Sequence, residues 1–382
     1  MAVYDPILDP INLTTLPEVN DTAAEDLFFM GAPLQAHLRY KCLVPFKGGA
    51  FSRNLFQFAP LNGGAYARGV GGFSLIKPVT LGGTVFDPRY YVVMIIEYLE
   101  DIEVLNTGNL AVFDLVELDV ANAHQTLTAI IALDLNQNGQ TTGRTINING
   151  WVEAYNDGIM PSYDGNIYTS YGTAARNGNV NKALNGNVYF GGTSTGAGGT
   201  LQYPQLNTMY NLGRRGADEI DLIVGNKPIV SFAENRIQTQ QRFGQDGASM
   251  RDPYWGATGF RFKNAVVLID DYFPTAVYPY GSSTNGGLGS NLTSTISYTV
   301  PTGGAYNGFP AANATLTVGE VLVGFNTTRL MFRISDSAEF GGTPTDFIRV
   351  PDGTRVASQL KLACNFECTA PWTGIQGYGW VA

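Results

Sequence analysis

Apolar positions recur at three and four residues through Asn106–Gly139, the longest helix-like pattern in the chain. Phe113, Val116, Val120, Ala123, Leu127 and Ile130 mark one face, and Leu110, Leu115, Leu118 and Ile131 widen it. Thr107 or Asn109 suits the start, Asp114, Glu117 and Asp119 favour the N-terminal half, and Gly139 suits a left-handed stop. A helix from Asn109 to Leu135 would be about 40 Å long, a strut around which an α+β fold is organised.

Elsewhere the rhythm is shorter. A Pro-punctuated arm opens the chain, and Thr22 and Glu25 stand in capping-box register ahead of a short helix. A second short helix is expected over Leu34–Tyr40, with His37 on its polar face. From Gly48 to Tyr98 the pattern turns to strands: Phe56 and Phe58 alternate with Gln57, and Tyr91, Val93 and Ile95 alternate with Val92 and Met94. A glycine-dense stretch separates them, so the region reads as a long two-stranded excursion that needs a neighbour to lie on. Gln202–Leu212 reads as a helix with Leu206, Met209 and Tyr210 inward, and a strand is expected over Asp218–Val224. Thr328–Ile334 and Phe347–Val350 read as strands.

Composition narrows the function. Charged residues are 14% of the 382, against roughly 25% in an average soluble chain, and polar duty falls on Asn, Thr, Gly and Gln. Such a surface suits contact with other protein. The net charge of -9 disfavours a dedicated nucleic-acid binder without excluding a protein that encloses nucleic acid. Cys42, Cys364 and Cys368 are odd in number, and the last two, if in one strand, lie about 13 Å apart, too far to bond. With only His37 and His124 besides, neither a metal site nor a cofactor is expected. No signal peptide or membrane-spanning run is read, and the sequons at Asn12, Asn20, Asn291, Asn313 and Asn326 carry little weight without one. The glycines at 63, 64, 69, 71 and 72 lack the Lys and Ser/Thr spacing of a phosphate loop. No nucleophile elbow, HExxH or CxxC occurs, and Asp270-Asp271 would point to opposite sides of a strand, so no enzyme is expected.

Residues 218–273 carry a more specific pattern. The strand Ile220-Asp221-Leu222-Ile223-Val224 leads to a helix from Pro228 to about Arg236. Gln240-Gln241-Arg242-Phe243 follows, then a strand Phe260–Lys263 and an apolar strand Ala265–Asp270. This resembles the central domain of tailed-bacteriophage major capsid proteins with the Hong Kong 97-type fold, without the proline usual in the last strand. Trp151–Gly158 is similar to the acidic turn after that family's long helix, and Asn365-Phe366-Glu367-Cys368-Thr369 to its closing strand.

The resemblance implies an N-terminal arm over 1–48 and an extended loop over 49–98. It implies a peripheral domain with the spine helix over 99–149, an axial domain over 150–325 with an insertion near 279–319, and returning strands over 326–382. It implies a major capsid protein that self-assembles into hexamers and pentamers of an icosahedral head around double-stranded DNA, formed in the host cytoplasm. A scaffolding protein, a portal and a decoration protein are the implied partners besides further copies of the chain. No charged scaffold-like helix opens the sequence, and Met1 is read as an unprocessed start. Arg53, Arg68, Lys77 and Arg89 make the loop region the most basic in an acidic chain, and are expected to meet acids such as Asp114, Glu117 or Asp119 of a neighbouring subunit. Some members of the family cross-link a loop lysine to an asparagine of another subunit. Lys77 and Asn365 lie in the corresponding segments, and a carboxylate in a low-dielectric pocket would be needed to deprotonate the lysine. A β-rich tail, fibre or adhesin protein and an encapsulin-like compartment shell are the alternatives.

Overall fold

We describe a computed structural model over residues 32–46, 52–57, 79–99, 115–136, 146–176, 184–193, 195–214, 216, 218–241, 250–251, 258–273, 295–298, 309–310, 314–335, 344–350 and 354–381. Arg68, Lys77, Asp114, the helix start at 107–109, the 138–139 stop, the first-arm helix near Thr22 and the Arg242-Phe243 pair lie outside the described residues.

Among the described residues two large sheets organise the chain, beside three two-stranded ones. The first joins β1 (Leu43–Phe46), β4 (Arg89–Tyr98), β15 (Leu330–Ser335), β16 (Ile348–Arg349) and the long β17 (Arg355–Cys368). β15 and β16 pair with β17 along one edge and β4 pairs along the other, from Arg355↔Tyr98 to Cys364↔Arg89. The second sheet has seven strands: β7 (Asn187–Phe190), β18 (Ile375–Trp380), β14 (Glu320–Phe325), β8 (Leu222–Gly225), β11 (Ala265–Ile269), β10 (Thr258–Phe262) and β9 (Met250–Arg251), in that order. β8 and β11 are parallel, and the crossover between them carries the helix Lys227–Gln241. β8 is buried along its whole length, as a strand covered on both faces must be, and its sequence Leu-Ile-Val-Gly is accordingly without polar side chains.

The spine helix runs Leu115–Leu135 and packs on the inner face of β4. Ala123, Leu127, Ile131 and Leu135 are buried at four-residue spacing, so the face read from the sequence is rotated slightly, from Ile130 to Ile131. Asp134 is buried on this face. It accepts the Tyr91 hydroxyl of β4 at 2.6 Å and the Asn147 amide at 2.9 Å. At the helix end, Asn136 donates to the Tyr272 carbonyl at 2.9 Å and accepts from the Trp151 indole at 2.7 Å. Trp151 stacks on Phe273 with centroids 5.4 Å apart. The strut is therefore fastened to the end of β11, in the other sheet.

Besides the long passage from β4 to β7, the chain crosses between the sheets by two short segments, from β14 to β15 and from β17 to β18. Asp221 accepts from the Thr327 amide at 2.8 Å and from its hydroxyl. Arg329 grips Asp218 with two nitrogens at 3.0–3.1 Å, and its carbonyl takes the Thr369 amide at 2.9 Å. These bonds hold the two crossings side by side.

Two expectations are corrected. The excursion over 49–98 does not pair its two apolar runs. β2 (Ser52–Gln57) pairs instead with β3 (Leu81–Phe86), and the run containing Tyr91, Val93 and Ile95 is a strand of the first sheet. Period-two alternation marks a strand but not its partner. His37 is buried, because the helix Pro33–Lys41 sits in a corner between the spine helix, β15 and β11, and has no polar face over that turn. Within the 279–319 segment, β12 (Thr295–Tyr298) pairs with β13 (Ala314–Thr317), and Phe309, Leu316 and Val318 are core residues.

Candidate assembly surfaces

The β2–β3 hairpin is anchored at its root and bare beyond it. Along β2, Ser52 and Asn54 are buried while Arg53 and Leu55 are exposed. Ser52 donates its hydroxyl to Glu367 of β17, and the Asn54 amide donates to the other Glu367 oxygen at 2.8 Å. Arg333 of β15 donates to that same oxygen at 2.9 Å and completes an ion pair. Glu367 is 1% exposed. Burying a carboxylate without such partners is costly, so this cluster ties the root of the hairpin to the sheet.

A second contact holds the other strand. Phe86 meets Tyr171 edge-on with centroids 5.1 Å apart, and the Tyr171 hydroxyl accepts from the Cys368 amide at 2.6 Å. Gly172 has φ +56°, and a Cβ there would sit 2.9 Å from the Val85 carbonyl and 3.1 Å from the Phe86 ring. Only glycine allows that approach. The tight turn is in turn supported by Glu153, which accepts from the Gly172 amide at 3.1 Å and the Asn149 amide at 2.6 Å. Arg176, fully buried, spreads its donors over the carbonyls of Glu153, Ala154 and Tyr168, and burial pulls its guanidinium down to about 10.

Beyond the root, Leu55, Val79 and Leu81 are all at least 65% exposed. A hairpin bearing such side chains without cover is marginal in water. A second apolar surface lies on the outer face of the first sheet. Tyr90, Val92, Met94, Ile96 and Tyr98 occupy alternate positions of β4 and are 49–75% exposed, while Tyr91, Val93, Ile95 and Glu97 face inward. Among the described residues, the only strand β4 pairs with is β17.

The basic residues singled out from the sequence fall on different elements. Arg53 is exposed on the hairpin, opposite Val85, whereas Arg89 opens β4, opposite Cys364 and partly buried. Glu117 and Asp119 lie in the first turns of the spine helix, Glu117 fully at the surface. Asn365 is buried. Its amide donates to the Asp87 carbonyl at 2.8 Å and to Asn149 at 3.1 Å, and its oxygen accepts from the Asn149 amide at 3.0 Å, so its polar atoms are engaged within its own chain. The clamp residues Ser52, Asn54, Arg333 and Glu367 were not visible as a group in the sequence, being separated by up to 315 positions. The outer stripe was visible as the other half of the β4 alternation.

Among the described residues no group of His, Cys, Asp and Glu is arranged to hold a metal ion, and no helix is long and apolar enough to cross a membrane. All three cysteines are free and buried, and burial raises each thiol.

No family model and no curated protein sequence matches the chain. Solved structures do. A cyanophage A-1(L) capsid subunit aligns with TM-score 0.60 over 97% of this chain and 99% of that one, at 14% identity. The capsid of a native GTA particle aligns over 100% of both chains, with TM-score 0.54 and 11% identity. The chain has the Hong Kong 97-type fold. The same fold extends to the SrpI encapsulin of Synechococcus elongatus, with TM-score 0.52 and 8% identity over 100% of this chain and 97% of that one.

Proposed function

We propose that this chain is a shell subunit, the major capsid protein of an icosahedral phage head that encloses double-stranded DNA. The observation that carries the reading is the full-length likeness to capsid subunits, in a chain whose described residues leave the hairpin and the β4 stripe exposed. Those two surfaces are what a lattice of hexamers and pentamers would bury. Low charge content fits a structural role. A scaffolding protein, a portal and a decoration protein are the further partners proposed. DNA would be enclosed without sequence reading, as suits an acidic chain.

The test is negative-stain microscopy and size-exclusion chromatography of the protein alone and with a candidate scaffold. Closed shells, or capsomers of several hundred kilodaltons, support the proposal. A persistent monomer or trimer under both conditions overturns it. The encapsulin likeness keeps a compartment shell as second reading. Nuclease-protected DNA inside native particles would favour the phage head, and protein cargo would favour the compartment.

A further inference from the structure

We infer that the outer edge of β4 pairs with the same edge of a second copy, antiparallel about a two-fold axis at Val93, so that the first sheets of two copies join into one. The inference rests on the shell reading above and names one contact between its subunits. β17 occupies one side of β4, in unbroken register from Arg355↔Tyr98 to Cys364↔Arg89. The Leu99 amide continues that ladder and donates to the Thr354 carbonyl at 3.0 Å. In an antiparallel strand, the backbone groups that face one neighbour recur at every second residue. The odd-numbered residues of β4 therefore turn their amides and carbonyls to β17. Tyr90, Val92, Met94, Ile96 and Tyr98 turn theirs to the other side, where no strand lies among the described residues.

A long open edge is a template for a further strand. β4 has ten residues, whereas the other edge strands of the two large sheets are short: β1 and β7 have four, β16 and β9 two. β1 also carries Pro45. β4 contains no Pro, Gly or Lys and no bulge, the features that keep sheet edges apart. The spine helix packs on β17 as well as on β4, towards the interior of the sheet.

Charge makes the occupant a second copy and sets the register. The acid and the base of the strand, Glu97 and Arg89, stand on its inner face at equal distances from Val93. A two-fold axis at Val93 sets Arg89 of each copy opposite Glu97 of the other, Tyr90 opposite Ile96 and Val92 opposite Met94. The Arg89 Nε is buried and has no hydrogen-bond partner, and the opposed carboxylate supplies an acceptor. Moving the axis by one residue loses this match: one way sets Arg89 against Leu99, the other sets Glu97 against Asp87. The pairing at Val93 adds about eight ladder hydrogen bonds through the even-numbered residues. It also brings the exposed apolar stripes of the two copies side by side on one face.

The experiment uses two forms of the full chain, Val92→Cys and Met94→Cys, the second carrying a mass tag. The native cysteines are buried and stay out of the reaction. The two proteins are mixed, assembled and oxidised with diamide, and disulfide-linked pairs are separated by size. Opposed residues of such a ladder stand about 5.5 Å apart at Cα, within disulfide reach. The expected product joins position 92 of one copy to position 94 of the other, several-fold more abundant than the pair formed by either protein alone. Assembled particles without this product, or with as much linkage in either protein alone, overturn the inference and leave the shell reading intact. A linked pair that forms no particle keeps the inference and removes the shell reading, and a chain that stays monomeric and unlinked overturns both. A charge exchange gives the second measurement. Arg89→Glu in the Val92→Cys protein is expected to lower the mixed product several-fold, and Glu97→Arg in the Met94→Cys protein to restore it. No restoration overturns the inference.

Discussion

At the scale of single residues, two buried carboxylates do different work. Glu367 has three donors, one of them a guanidinium, and ties hairpin to sheet. Glu367→Ala leaves Arg333 without that ion pair and two hairpin side chains without their acceptor. We expect a loss of about 3 kcal/mol, read as a lower urea midpoint, together with faster protease cleavage between residues 57 and 81. Asp270 has only amide donors, Leu34 at 3.0 Å and Tyr272 at 2.8 Å, and no cation among them. Burial outweighs those bonds and pushes its carboxyl up to about 7. The folded chain thus holds a proton that the unfolded chain releases near its ordinary value. Stability from this group is complete below about pH 4 and falls as the pH rises towards about 7. Asp270→Asn stays neutral, so the drop in thermal midpoint between pH 5 and pH 7.5 should be smaller than in the wild type. The adjacent Asp271 is exposed, as alternation at a strand end requires. Asn365, engaged with Asn149 and Asp87, is poorly placed to cross-link.

At the scale of elements, the hairpin is the part whose geometry depends most on others. Its strands contain Gly82 and Gly83 and present little apolar surface to the body, so its direction is set at the root. The clamp at Glu367 holds β2, and the Tyr171–Gly172 turn holds the end of β3. Gly172→Ala would force a Cβ onto Val85 and Phe86 in a left-handed backbone conformation. We expect a loss of about 1–3 kcal/mol and a changed near-ultraviolet circular dichroism signal from the Phe86–Tyr171 pair. The spine helix shows the opposite case. Its period was plain in the sequence, and its register on β4 follows from the same residues that made the period plain, with a one-residue rotation because Ile131 rather than Ile130 meets the sheet.

At the scale of the whole molecule, the surface proposed for assembly lies apart from the core that gives stability. The core between and around the two sheets holds the subunit, whereas the β4 stripe contributes little to it, being at least 49% exposed at each of its five positions. Replacing Val92, Met94 and Ile96 together by Thr keeps strand propensity and removes apolar surface. The subunit's thermal midpoint should shift little, while the yield of assembled particles by light scattering should fall several-fold. A midpoint that fell in step with the yield would mean the stripe belongs to the core.

The order of elements, the class of the fold and the strands of the central region were legible in the sequence, because hydrophobic period is a local property that each element carries with it. The segment 218–273 was specific enough for its strand-helix-strand order to be read directly, and the structure places β8, the helix Lys227–Gln241, β10 and β11 there. Pairing was not legible. Nothing local told β2 that its partner was β3 rather than the strand Arg89–Tyr98, or buried His37 in a corner of three elements. The same holds for Ser52 and Glu367, whose contact is 315 positions long. The sequence by itself determined where the strongly periodic elements run and, in β4 and to within one residue in the Leu115–Leu135 helix, which face is apolar. The tertiary structure alone decided which outward faces the described residues leave exposed, because exposure depends on what the rest of the chain brings alongside, and it is on those faces that the proposed assembly rests.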